Sequence, residues 1–433
     1  MADIKNVVIL GDSMSDIGNK WLWPSGELGR LIQAMGLGGM RVNETGRFSD
    51  GKNWTDFLVE WATGQTLMWG NRDLTIRRSN DFRTLSSFSV LDVDSWDMQP
   101  QPKPPSGSNV SLDDLLEYIN EARRQTGTVP SPPQIRYVNY AMGGAIVTKD
   151  WMPKAGALTY LREQAEDYIA QRSQVSRPFE GATMYIIWIG LNDFVTALRP
   201  DYDPSKFNTP LPTRGDYAAW RAWSQTPGNL TNGVGVFPAV AEIQSLVELI
   251  NSTFPPDAKT DNHFMVIDLP SVYNAIRYMQ GLATPAKIAE AQLIDPITQH
   301  YNLMLASLVQ HWPAGPNAPA ADHVHLVQMS AWMDYLSNNL ATWKLSQQAQ
   351  VPGVKPFYNP GVPPEPTTDP VPSAMRRAIT TSDLGHPTEA VYSLMARYFV
   401  TNLLANGHTL GRLNNDAWLK NAPFGNQPFL PQG

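Results

Sequence analysis

The chain has 433 residues, a formal charge of -7 and a pI near 5.5, long enough for one large core or two domains. A hydrophobic content of 42% with 14 Trp excludes a disordered chain, and the mildly acidic balance without a dense Lys/Arg cluster leaves no electrostatic footprint for nucleic acid. Cysteine is absent, which excludes disulfides and thiolate chemistry.

No apolar run approaches the roughly 20 residues that cross a bilayer. Met1 to Lys5 leads directly into the first apolar run, with no cleavable secretory segment before it. The expected location is therefore the cytosol, or outside the cell by a route that reads no cleavable signal. Secretion is the expectation if the opening Met-Ala replaced a native leader.

In chain order, residues 7–10 are a short apolar run of strand length, stopped by Gly11. Residues 20–50 are rich in Gly, Trp and Met and read as loop. Asp50-Gly51 is a turn signal, after which Trp54, Phe57, Leu58 and Trp61 recur at helical spacing. Residues 65–133 read as an insertion with one helix over 112–124. A strand follows over 135–138, a helix over 158–174 and a strand over 184–189. Residues 199–233 read as a second insertion. Then come a helix over 236–250, a strand over 264–269, a helix over 288–309 and a strand over 324–327. The Pro-rich stretch 351–372 reads as a surface connection within a third insertion, 345–380. The last helix carries Val391, Leu394, Met395, Tyr398 and Phe399 on its expected buried face. Short apolar strands separated by helical segments imply parallel βαβ units. The expectation is one elaborated domain over 1–433.

Polar residues follow these strands at regular places. Ser13 comes just after the first, where open α/β sheets place their ligands. Gly143 and Gly144 follow the second, and a glycine there lets a backbone N–H approach a ligand closely. Asn192 follows the third, and Asp383 and His386 precede the last helix, with Pro387 restricting the backbone of His386 and suited to the first helical position. A hydroxyl, an imidazole, a carboxylate to orient it and donors for an oxyanion are what serine-based acyl transfer needs. Asp12, Ser15, Asp16 and Asn19 read as residues that hold the Ser13 turn, and Asp193 as an anchor of its loop.

Gly11-Asp12-Ser13-Met14-Ser15-Asp16 resembles the nucleophile block of the GDSL or SGNH hydrolases. Asn139-Tyr140-Ala141-Met142-Gly143-Gly144, Gly190-Leu191-Asn192-Asp193 and Asp383-Leu384-Gly385-His386 are similar to that family's later blocks, in family order. The resemblance implies a three-layer α/β/α sandwich around a parallel sheet of about five strands in flavodoxin-like order. It implies Ser13 as nucleophile, His386 as base, Asp383 as its orienting carboxylate, and an oxyanion hole of the Ser13 and Gly144 N–H groups with the Asn192 amide. No cofactor is required. The segment Gly46-Arg47-Phe48-Ser49-Asp50-Gly51 is similar to the larger bacterial lipase, phospholipase A and lipid acyltransferase members. The expected partner is thus a small-molecule or lipid acyl ester, met with transient membrane-surface contact. Trp21 and Trp23, close behind the nucleophile turn, are the expected acyl-binding residues. A carbohydrate acetylesterase and a catalytically dead binding protein on the same fold are the alternatives.

Asp322-His323-Val324-His325 is the rival constellation, since two histidines two apart on a strand face one way. No third ligand stands at a suitable spacing, so no metal is expected. His263, His300, His311 and His408 read as surface or core.

Overall fold

The computed structural model describes residues 2–19, 47–49, 52–63, 65–66, 90–92, 99–100, 135–147, 159–173, 180–195, 236–257, 260–279, 281–340, 379–380, 385–411 and 413. Trp21, Trp23, Asp383, the helix expected over 112–124 and the Pro-rich stretch lie outside them.

The first strand, β1 (Ala2–Gly11), is the centre of the sheet. Ile4 and the run from Val7 to Leu10 are fully or almost fully buried, because a strand flanked on both edges and covered on both faces has no solvated side. Each such aliphatic side chain contributes about 1.5–3 kcal/mol on burial. The other sheet members are β2 (Val90–Asp92), β3 (Arg136–Asn139), β4 (Gly181–Trp188), β5 (Thr260–Ile267), β6 (Val324–Val327) and β7 (His408–Leu410). Their order is β2-β3-β1-β4-β5-β6. β7 pairs with Ala2 to Ile4, on the edge of β1 that β3 leaves uncovered. The five strands β3, β1, β4, β5 and β6 are mutually parallel, which gives the flavodoxin-like order.

Two short elements were not legible. β2, inside the first insertion, adds to β3 as an antiparallel edge, and a two-stranded ribbon joins Gln65–Thr66 to Gln99–Pro100. Both are too short to show a period.

The helices are α1 (Trp54–Thr63), α2 (Leu161–Arg172), α3 (Leu191–Val195), α4 (Val236–Thr253), α5 (Pro285–Gln310), α6 (Met329–Asn338) and α7 (Glu389–Ala405). α1 packs on α7, while α4 packs on both α2 and α5. Right-handed crossovers from strands on either side of β1 send these two sets to opposite faces, the three-layer sandwich. α5 starts three residues before its apolar period does, because Thr284 caps it and Pro285 occupies its first turn. α7 is buried almost all round, not on one face only, since it is covered by α1 and by the sheet. No described helix is long and apolar enough to cross a membrane.

β1 sits at the point where successive connections leave in opposite directions. The crevice at its carboxyl end is where a doubly wound sheet exposes backbone groups to a ligand. Ser13 lies there.

Candidate active site

The chain leaves β1 in a tight turn, with Ser15 N–H donating to Asp12 O at 3.1 Å and Met14 N–H to Asp12 Oδ1 at 3.0 Å. A short polar side chain bonding two residues on is the Asx-turn geometry. Asp16 then accepts the N–H groups of Gly18 and Asn19 on Oδ1 (2.8 and 2.7 Å) and that of Gly143 on Oδ2 (2.7 Å). Asn19 donates to Asn139 O and Ala141 O, and Asn139 donates back to Ser15 O. The turn after β1 and the turn after β3 are therefore one hydrogen-bonded unit. Asp16 and Asn19 hold it from the first turn and Asn139 from the second.

α1 locks the same unit from above. Asn53 Oδ1 accepts from the N–H groups of Thr55 and Asp56, capping the helix, while Asn53 Nδ2 donates to Asp16 O. Trp54 Nε1 donates to Ser15 Oγ at 3.1 Å. Arg47 and Asp56 form a buried bidentate pair at 2.6 and 3.1 Å. Removing one partner of a buried pair of this kind costs about 3–5 kcal/mol, because the other is left charged without water.

Ser13 is 8% exposed, and its Oγ lies 2.8 Å from His386 Nε2. His386 comes from the loop before α7, with its ring 5.0 Å from that of Phe48 and tilted by 39°. Tyr392, on the first turn of α7, donates to Phe48 O and touches Met14 Sδ, so the helix fixes both neighbours of the pair. Pro387 lies one residue before the helix cap Thr388, not at the first helical position as its sequence context suggests. Its carbonyl region instead bridges to Thr380. The loop thus closes against residues before it as well as starting the helix.

The two glycines after β3 differ in what they do. Gly143 commits its N–H to Asp16, and an added Cβ would lie 2.3 Å from the Phe48 ring, so no side chain fits. Gly144 has φ 79°, a conformation glycine adopts without a steric cost. Its amide is the one not held by Asp16. Asn192, in the first turn of α3, donates one N–H of its amide to Ala145 O at 3.1 Å, which orients the group and leaves the second N–H for other contacts. Asp193 accepts Val147 N–H on both carboxylate oxygens at 3.0 Å and ties α3 to the turn after β3.

Ser13, Asn192 and His386 line one pocket of about 120 Å³. Its walls are largely apolar, from Met14, Leu191, Val195, Val272, Met333 and Met395, with Arg277 the one Lys or Arg among the described lining residues. Asp12 is on its floor. Burial pushes the Asp12 carboxyl up to about 6, against the lowering pull of Met14 N–H and of His386.

The structure thus brings Ser13, His386 and Asn192 to one pocket. Asp383, Trp21 and Trp23 are outside the described residues. Sequence reasoning missed Arg277, which carries no motif, and the packing of Phe48 on His386. Phe48 does sit in the conspicuous Gly46-Arg47-Phe48-Ser49-Asp50-Gly51 run, which was the available signal.

A doubly wound α/β sandwich with a serine–histidine pair at its switch point defines the class. The family model described as GDSL-like Lipase/Acylhydrolase matches residues 7–399, from β1 to α7. The chain belongs to the GDSL-like lipase/acylhydrolase family. Among solved structures it is similar to a candidate GDSL-like lipase from Parabacteroides merdae ATCC 43184, at 12% identity and TM-score 0.32, over 94% of this chain and 97% of that one. Comparison with curated proteins finds no match.

Proposed function

We propose that the protein is a serine ester hydrolase acting on lipid acyl esters. The observation that carries this reading is the 2.8 Å contact between Ser13 Oγ and His386 Nε2 in an apolar pocket. With Nε2 unprotonated, His386 takes the Ser13 proton as Oγ attacks the ester carbonyl. On this reading Asp383, three residues before His386 in the sequence, has the role of the carboxylate that orients the imidazole. The Ser13 and Gly144 N–H groups and the free N–H of the Asn192 amide hold the oxyanion of the tetrahedral intermediate. The imidazolium protonates the departing alcohol, and water, activated by the same imidazole, releases the acyl group. The chemistry needs no cofactor.

Asn192→Ala is expected to lower kcat by about 10²- to 10³-fold with little change in KM, because a hydrogen bond to the oxyanion strengthens in the transition state. Steady-state kinetics with a p-nitrophenyl ester checks it. A change in KM alone would make Asn192 a substrate-binding residue instead.

The apolar walls support a lipid over a sugar acetate. Each methylene buried contributes about 0.8 kcal/mol, so lengthening the acyl group from two to eight carbons offers about 5 kcal/mol before ordering costs. The expected result is a steep rise of kcat/KM from p-nitrophenyl acetate to octanoate, measured below the micelle concentrations, and blunted by Trp21→Ala or Trp23→Ala. Acetate as the best substrate, with activity falling at each added pair of carbons, would favour the carbohydrate acetylesterase.

A further inference from the structure

The amino end of the sheet, opposite Ser13, holds a cluster of histidines that the proposed reaction does not use. In the sequence His263, His323, His325 and His408 fall far apart, and only the pair at 323 and 325 stands out. The fold assembles all four. Phe264 pairs with Val324 and Met265 with His325, which sets His263 and His323 side by side and His325 on the same face. β7 brings His408 in from the edge of β1. Ring centroids lie 4.2 Å apart for His263 and His323, 4.6 Å for His263 and His408, and 5.1 Å for His325 and His408.

We propose that Asp261, His263 and His323 form a binding site for a divalent first-row transition metal such as zinc, with His325 and His408 packed behind them. One donor atom from each of the three falls within 4.8 Å of the others. Asp261 Oδ2 is 2.9 Å from His263 Nε2, and Asp261 Oδ1 is 3.4 Å from His323 Nδ1. A tetrahedral zinc with bonds of about 2.0–2.1 Å spaces its ligand atoms by about 3.3 Å, so these separations need only small adjustments to share one ion. His325 Nε2 and His408 Nε2 face each other at 3.1 Å.

The cluster also holds unsatisfied polar atoms. His263 and His408 are both buried, and among the described residues the Nδ1 atoms of both have no hydrogen-bond partner. Buried polar atoms without partners are rare, and the orphan Nδ1 of His263 is the ring nitrogen other than the Nε2 that faces Asp261. Asp261 and His323 are 39% and 25% exposed and give an ion a way in. Imidazole with a single carboxylate suits zinc, copper, iron and nickel better than magnesium or calcium.

The test uses the full chain, stripped with EDTA and desalted, and titrated with Co(II). The expected result is stoichiometric binding with the visible ligand-field bands of a low-coordinate site, displaced by Zn(II), and a rise of Tm with zinc. His323→Gln and Asp261→Asn, both partly exposed and checked for native circular dichroism, should lose the bands. His311→Gln, on the exposed end of α5, should keep them. Absence of the bands in the wild type, or their persistence in both His323→Gln and Asp261→Asn, overturns the site. Because the readout is a spectrum and not turnover, it is independent of whether Ser13 is the nucleophile.

Discussion

Ser13→Ala is expected to lower kcat for ester hydrolysis by about 10³-fold or more while the fold is retained. The hydroxyl is the only atom lost. The turn that carries it is held by Asp12, Ser15, Asp16 and Asn19 and not by Ser13 Oγ, whose partner in the structure is His386. Thermal unfolding of the variant should therefore stay close to that of the wild type. A fluorophosphonate probe should label the wild type at Ser13 and leave the variant unlabelled. Undiminished turnover in Ser13→Ala, or labelling of a different serine, would remove Ser13 from the mechanism.

His386→Ala is the companion case, with a loss of about the same size and not the product of the two. Residues that act as one unit give non-additive losses, so the double variant with Ser13→Ala should be no slower than the worse single one. The residual rate in each measures what the oxyanion donors and substrate binding supply without the pair. His325→Gln is the contrast. It also removes a partly buried imidazole, but from the amino end of the sheet, and should leave kcat/KM as it was. Loss of turnover on chelation, restored by zinc, would instead carry a metal into the reaction.

How far the fold was legible depends on how each element declares itself. β1, β4 and β5 are continuous apolar runs buried on both faces, and only a central parallel strand demands that. Their limits move by a few residues because polar ends such as Asp261 and Asn262 still pair in the ladder. α6 went unread although Met329, Trp332, Met333 and Leu336 follow a helical period, and all four are buried. The signal was present and short. β7, three residues long, has no period to read.

Part of the candidate site was legible: Ser13, Asn192 and His386 meet in one pocket, while Asp383, Trp21 and Trp23 lie outside the described residues. Three of its motifs follow strands and the fourth precedes the last helix, and each contains polar residues that core packing does not call for. What stayed hidden was contact between distant segments. Asp16 reaching Gly143, Phe48 resting on His386 and Arg277 lining the pocket are all set by tertiary placement. The histidine cluster is the extreme example. Spacing along the chain separates His263 from His408, and only the sheet order puts their rings in contact.

The sheet order also has a bearing on the protein's life on the ribosome. Ser13 and His386 are 373 residues apart, and the last strand to join β1 begins at His408. At about 5–20 residues per second of synthesis, roughly 20–75 s pass between the appearance of the hydroxyl and that of the imidazole. Until β3 and β4 have been made, after residue 135, both edges of the innermost strand are open. Such an unpaired apolar strand is a sticky nascent species that invites chaperone holding. On the proposed mechanism, the same order of synthesis keeps Ser13 without its base until residue 386 has been made.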